Sequence, residues 1–291
     1  MKNIILAVVA LLLIGGGIYF LMNQTSDTVV IVEENPEVLP VEPDGGIGDG
    51  AEPLNEVIAA QRGPESVVGT SVSGADIIAY HFGTGANEIL FVGGTHGSDA
   101  PSTGDVAEQL VTYLAENPSV VPSEVSVTII PSLNPDGAAK TGTDGRFNNN
   151  NVDLNRNFDC EWSATGVWRD QEVSGGSRPF SEPEARALQT YVNTYNPKAA
   201  VVWFASEGKV YPSACAGTPS SESVSLAATF ANAAGYGVEA EFNAYAITGD
   251  MVNWMAKQDI PAISVLLTSR NNAEWTKNKA GIEAVLTQYS N

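Results

Sequence analysis

From about residue 64 the chain alternates short apolar runs with longer amphipathic ones, and this alternation constrains the fold more than any other feature. Ser66–Ser73 and Asp76–His81 read as a strand pair around Ser73-Gly74-Ala75. Glu88–Val92 is a short apolar run ending at Gly93-Gly94, as a strand inside a sheet would. Further strands are expected over Glu124–Ile130, Ala199–Phe204 and Ala262–Leu267, with helices over Thr103–Glu116, Glu222–Ala234, Gly249–Gln258 and Ala273–Tyr289. Ser181-Glu182-Pro183-Glu184 reads as a capping box opening a helix to about Tyr195. Strands alternating with helices imply an α/β class with a mixed, mostly buried central sheet flanked by helices. Sites in such folds gather at the carboxyl ends of strands, and His96 follows the Glu88–Val92 run by a few residues.

Two segments of different character precede this domain, which is expected over residues 61–291. Residues 4–22 are nineteen uncharged, mostly apolar residues, roughly 28 Å long as a helix, close to a bilayer core. The positive charge of Lys2 on one flank and acids on the other predict an N-terminal transmembrane helix with the rest of the chain extracytoplasmic. A cleaved signal peptide is the rival reading, although no Ala-x-Ala site follows the run, and it would make the protein secreted. Residues 23–60 hold nine acids, no base, four prolines and no aromatic residue, which describes a disordered linker. The formal net charge of −20 argues against a nucleic-acid partner, because nothing would neutralise phosphates.

The motifs come in a fixed order. Gly93-Gly94-Thr95-His96-Gly97-Ser98-Asp99 precedes Asn134-Pro135-Asp136-Gly137, then Arg146, then Val152-Asp153-Leu154-Asn155-Arg156-Asn157-Phe158, and finally Pro179–Glu184. Taken together these resemble the zinc metallocarboxypeptidases, the carboxypeptidase A-like family, over about residues 64–291. The resemblance implies a zinc held by two histidines and a glutamate, with a second glutamate as general base. A catalytic zinc wants three protein ligands and an open position for water. Here His96 and Asp99 stand at the first two positions, aspartate being one methylene shorter than glutamate. The third falls on Ala205, which cannot bind metal, with Glu207 as a substitute on the same side of an extended strand. The base falls in Ile260–Leu267, on Leu266 or on Leu267 if the register slips, and neither leucine can activate water.

The substrate side is fuller. The resemblance makes Arg146 the residue that polarises the scissile carbonyl, and Asn155 with Arg156 the pair that binds a terminal carboxylate. Arginine suits that task through its bidentate fork. Tyr245 resembles the tyrosine that closes over a bound peptide, and Val252 would sit near the side-chain pocket. The alternatives are structural: Arg146 and Arg156 could pair with Asp136, Asp153 or Asp159, and Tyr245 could be a core-edge residue. His81 reads as an ordinary strand residue, and Trp162 and Trp168 either line a groove or pack. The family's layout brings the segment after Phe158 and the loop after the third-ligand strand to one face, which implies a Cys160–Cys215 disulfide in an exported chain.

Three readings follow. One is a membrane-tethered pseudoenzyme that grips peptides, cell-wall peptides among them, by a free C-terminus. Another is a working zinc carboxypeptidase with a modified metal site. The last is an interaction domain with a vestigial cleft. Enzyme status and zinc binding stay open at this point.

Overall fold

The computed structural model describes residues 62–290, so the expected anchor (1–22) and linker (23–60) lie outside the described residues. Among the described residues no helix is long and apolar enough to cross a membrane. The strands are β1 (Glu65–Thr70), β2 (Asp76–Gly83), β3 (Asn87–Val92), β4 (Val125–Ile130), β5 (Thr165–Trp168), β6 (Gln171–Ser174), β7 (Ala199–Ala205), β8 (Lys209–Pro212), β9 (Gly237–Val238) and β10 (Ala262–Leu267). The helices of two turns or nearly so and longer are α1 (Ser102–Glu116), α2 (Pro183–Tyr195), α3 (Ser221–Ala234), α4 (Met251–Lys257) and α5 (Trp275–Gln288).

Eight strands form one sheet in the order β1-β2-β4-β3-β7-β10-β8-β9, while β5 and β6 form a separate hairpin. The four middle strands β4, β3, β7 and β10 are mutually parallel; β1, β2 and β8 join antiparallel. Parallel strands need both faces covered, and the side-chain alternation shows how that is done. Ile89, Phe91, Trp203, Val265 and Leu267 face a core shared with Val106 and Leu110 of α1, Phe230 of α3 and Ile282 of α5. Leu90, Val92, Val202, Phe204 and the partly buried Leu266 face the opposite core with Leu188 of α2 and Met251 and Met255 of α4. Each fully buried side chain of this size contributes roughly 1.5–3 kcal/mol. The alternation also settles a register: Leu267 belongs to the first core, and Leu266 is the residue turned toward the cleft.

Two local expectations are corrected. The expected helix is α2 (Pro183–Tyr195), with Glu182 as its N-cap and no side-chain cap bond, so no capping box forms. Asn157 takes the Ser181 Oγ at 2.9 Å, and Asn148 and Asn150 take the Glu182 carboxylate, each at 2.8 Å. The first strand stops at Thr70, because Ser71–Ala75 forms a turn closed by Ser71 N–H to Ala75 O at 2.8 Å.

Candidate active-site cleft

The carboxyl ends of β3, β7 and β10 open into one cleft of about 850 Å³. After β3 the chain turns through Gly97, whose φ of +41° and whose missing Cβ let it lie against the Gly137–Ala138 backbone. Asn134 fixes the other side of that contact, accepting from Gly137 N–H at 2.8 Å and donating to Thr95 O at 3.3 Å. The Asn-Pro-Asp-Gly motif is thus a clamp on the His96 loop. Its Asp136 accepts from Ser71 Oγ at 2.7 Å and Ser73 N at 3.1 Å, and it pairs with neither arginine.

Beneath this loop lies a buried polar cluster. Arg146 donates through Nε (2.9 Å) and Nη2 (2.7 Å) to Asp153 Oδ2. Its Nη1 lies 3.4 Å from His96 Nδ1 and 3.8 Å from Asp99 Oδ2, so a guanidinium stands between the two candidate metal ligands. Arg270 holds Asp99 from the far side, with Nη1 at 2.5 Å from Oδ2 and 3.0 Å from the backbone carbonyl. Even so, His96 Nε2, 3.3 Å from Asp153 Oδ1, and Asp99 Oδ2 have no well-directed hydrogen bond. Burial, then the Arg146 charge, lower the His96 imidazole to about 4, which keeps it neutral at neutral pH. Burial alone would raise the Asp153 carboxyl, but Arg146, Arg156 and His96 outweigh it and hold it well below the usual carboxylate range.

The third-ligand expectation is corrected in place. Phe204, and not Ala205, turns its ring to His96, with centroids 5.6 Å apart, and its backbone partner on β10 is Leu266. Ala205 packs with the first core and reaches the cleft only at the strand end. Glu207 does not join His96 and Asp99: β7 ends at Ala205, and the Glu207 carboxylate accepts from Tyr211 Oη at 2.8 Å and lies 3.7 Å from Lys209 Nζ. No cluster of three His, Cys, Asp or Glu residues able to hold a metal exists among the described residues. The set His96 and Asp99, with Phe204, Ala205 and Leu266 around it and two arginines against it, does not fit a catalytic zinc, which takes three donors.

The residues expected to bind substrate, Arg146, Asn155, Arg156 and Tyr245, all line the cleft. Arg156 is almost fully buried; Nη1 donates to Asn155 O at 2.8 Å and Nη2 to Val167 O at 2.7 Å, leaving Nε without a partner. The β5–β6 hairpin lies directly on it, since a Cβ at Gly166 would come within 2.8 Å of Arg156 Cδ. The Tyr245 ring faces the Arg156 guanidinium at 5.9 Å. Asn155 is engaged by Asp250, donating Nδ2 to it at 2.7 Å and accepting from Met251 N at 3.2 Å. Asp250 caps α4 and is itself buried, and burial pushes its carboxyl up against the hydrogen bonds it accepts. Val252 is core and not cleft; Asp250, Asn253, Ser264 and Leu266 line that end instead. The structural alternative holds for Arg146, which pairs with Asp153, and not for Arg156, whose side chain donates to backbone carbonyls only, while Asp159 pairs with Lys257 at 2.8 Å. Cys160 and Cys215 form the expected disulfide beside the cleft, with Cα atoms 5.8 Å apart.

Trp168 lines the cleft and Trp162 packs, donating Nε1 to Gly175 O at 2.9 Å. The Trp168 ring lies under three guanidiniums, Arg146 at 4.5 Å, Arg169 at 5.0 Å and Arg270 at 5.9 Å, within cation–π range. Sequence reading missed Phe204, Arg270 and Asp250, along with the hairpin that brings Trp168 in. The ion pair of Arg270 with Asp99 spans 171 residues, and no local pattern announces it.

A family model described as zinc carboxypeptidase matches residues 62–287. Murein peptide amidase A of Escherichia coli K12 is 31% identical over 140 residues, covering 44% of this chain and 54% of that protein. Carboxypeptidase D of Anas platyrhynchos is 32% identical over 123 residues, 38% of this chain and 8% of that protein. The chain therefore spans no more than about half the length of these curated relatives. In fold it is similar to the murein-tripeptide amidase of Escherichia coli O157 (TM-score 0.60, 20% identity, 79% of this chain and 92% of that one). It is also similar to a carboxypeptidase A from Helicoverpa armigera (TM-score 0.65, 17% identity, 78% of this chain and 68% of that one). With the family's model matched across the whole α/β domain and its motifs gathered around one cleft, the chain belongs to the zinc carboxypeptidase family.

Proposed function

We propose that this protein binds peptides through their free C-terminal carboxylate and does not hydrolyse them, acting outside the cytoplasm from a membrane tether at residues 4–22. The observation that carries the reading is the division of the cleft. Arg146, Arg156 and Tyr245 line it as the family's substrate side would require, whereas Phe204 and Leu266 present carbon where a ligand and a base are needed. A phenyl ring and an isobutyl group can neither bind zinc nor move a proton. Arg156 keeps donors free beyond its two carbonyl contacts, enough for a carboxylate. Cell-wall peptides are the candidate class, supported by the similarity to murein peptide amidases and by the proposed location.

A hydrolytic zinc site is the competing reading, and the undirected Asp99 Oδ2 and His96 Nε2 favour it. The two readings separate when the full chain is titrated calorimetrically with a short peptide and its C-terminal amide. Binding of the acid about tenfold or more tighter than the amide is expected, since a charge-assisted bond is lost with the carboxylate. Equal binding of the two, or a shortened peptide in the mass spectrum, would reject the proposal.

A further inference from the structure

We infer that Arg270, together with Arg146, supplies the positive charge that the family draws from its metal, and that this pair of guanidiniums keeps divalent metal out of the cleft. The inference deepens the metal-free reading above and rests on it. Three observations carry it. First, the position is right: Arg270 contacts Asp99 at 2.5 Å while Arg146 reaches both His96 and Asp99, so these two candidate ligands are flanked by fixed cations. Second, the carboxylates beside His96 already have cationic partners: Arg146 gives Asp153 two donors and lies 3.8 Å from Asp99, and Arg270 pairs with Asp99. A divalent ion bound between His96 and Asp99 would stand directly beside both guanidiniums, and like-charge repulsion at that range in a partly buried site is costly. Third, the pair is locked in place. Both guanidiniums lie against the Trp168 ring, Arg270 is half-buried, and Ser102 N–H fixes its backbone by donating to the Arg270 carbonyl at 3.1 Å.

Arg270 also has a ligand-facing side. Its Nη1 is committed to Asp99, but among the described residues its Nε and Nη2 have no hydrogen-bond partner, and the residue lines the cleft. Those donors suit an oxygen of the bound peptide, a carbonyl or a carboxylate. Arg270 is a positioning residue toward Asp99 and a binding residue toward the peptide.

The test rebuilds a third donor with and without the arginine. Phe204→His places an imidazole where the phenyl ring meets His96. The full-length chain, Phe204→His, Phe204→His/Arg270→Ala and Phe204→His/Arg270→Lys are each titrated with cobalt(II), followed by visible absorption and by metal content after gel filtration. The parent, the single variant and the lysine variant are expected to retain less than about one-tenth equivalent, and the alanine double variant about one. Near-universal retention by Phe204→His alone, or by the lysine variant, would overturn the role of Arg270 while leaving the peptide reading intact. One equivalent on the parent, lost on His96→Ala, would overturn both. Should the alanine double variant lose its near-ultraviolet circular dichroism, the decision passes to Arg270→Gln in the parent background. That variant is expected to weaken peptide binding about tenfold without altering the preference for acid over amide, and an unchanged affinity would sink the inference.

Discussion

The chain has two histidines, and each sits in a buried cluster of arginine, acid and aromatic residues; the clusters differ in how completely they are satisfied. Around His81, on the outer part of the sheet, Ser66 Oγ meets Nε2 at 2.8 Å and Thr128 Oγ1 meets Nδ1 at 3.0 Å. Thr128 Oγ1 in turn donates to Glu88 at 2.8 Å, and Arg62 grips the Glu88 carboxylate with two donors at 3.0 and 2.9 Å. Tyr191 closes the set against Glu88 and Thr128, and Arg62 Nε is the one atom left over. Around His96 the same residue types leave Nε2 of the histidine, Oδ2 of Asp99 and Nε of Arg156 without directed partners, beside a cleft of about 850 Å³. A satisfied network fixes a fold; a network with unmet polar atoms beside open space keeps bonding capacity for a ligand.

If that contrast holds, breaking the closed network should cost stability and leave binding alone. Glu88→Ala strands the Arg62 guanidinium, and a loss of about 3–5 kcal/mol in chemical denaturation is expected, with unchanged peptide affinity. Arg156→Gln should do the reverse. Peptide binding should fall by about 2–3 kcal/mol because a charge-assisted contact is removed, with a smaller change in unfolding free energy. A variant that lost both properties equally would erase the distinction between the clusters.

The smallest effect concerns pH. Burial, then the Arg62 charge, lower the His81 pKa to about 4 from an ordinary value near 6.5. The unfolded chain therefore binds the proton first as pH falls. The stability tied to neutral His81 is complete above about 6.5 and declines as pH drops from 6.5 toward 4. His81→Gln should flatten that part of the denaturation profile. An unchanged slope would show that His81 is not held neutral by its surroundings.

Much of this was legible in the chain. The strand–helix alternation located the central strands within a residue or two, because both-face burial forces long apolar runs. The arginines and the cysteine pair were visible because the family's motifs hold them in order. The β5–β6 hairpin was not, since Thr165–Trp168 and Gln171–Ser174 are four-residue strands with only one face covered. Phe204 was missed for a subtler reason: a one-residue slip at a strand end swaps faces, and only the pairing of Phe204 with Leu266 fixes which side chain meets His96. Arg270 belongs to a loop, and its partner lies 171 residues away in sequence.

The central claim is that the cleft grips a peptide terminus without metal. Its most direct test is the affinity of the full-length chain for a free-acid peptide after dialysis against zinc, measured with and without chelator while the peptide is followed by mass spectrometry. An affinity indifferent to zinc and chelator, with the peptide intact, is the predicted result. Binding or cleavage that appears with zinc, vanishes with chelator and is lost on His96→Ala would contradict it.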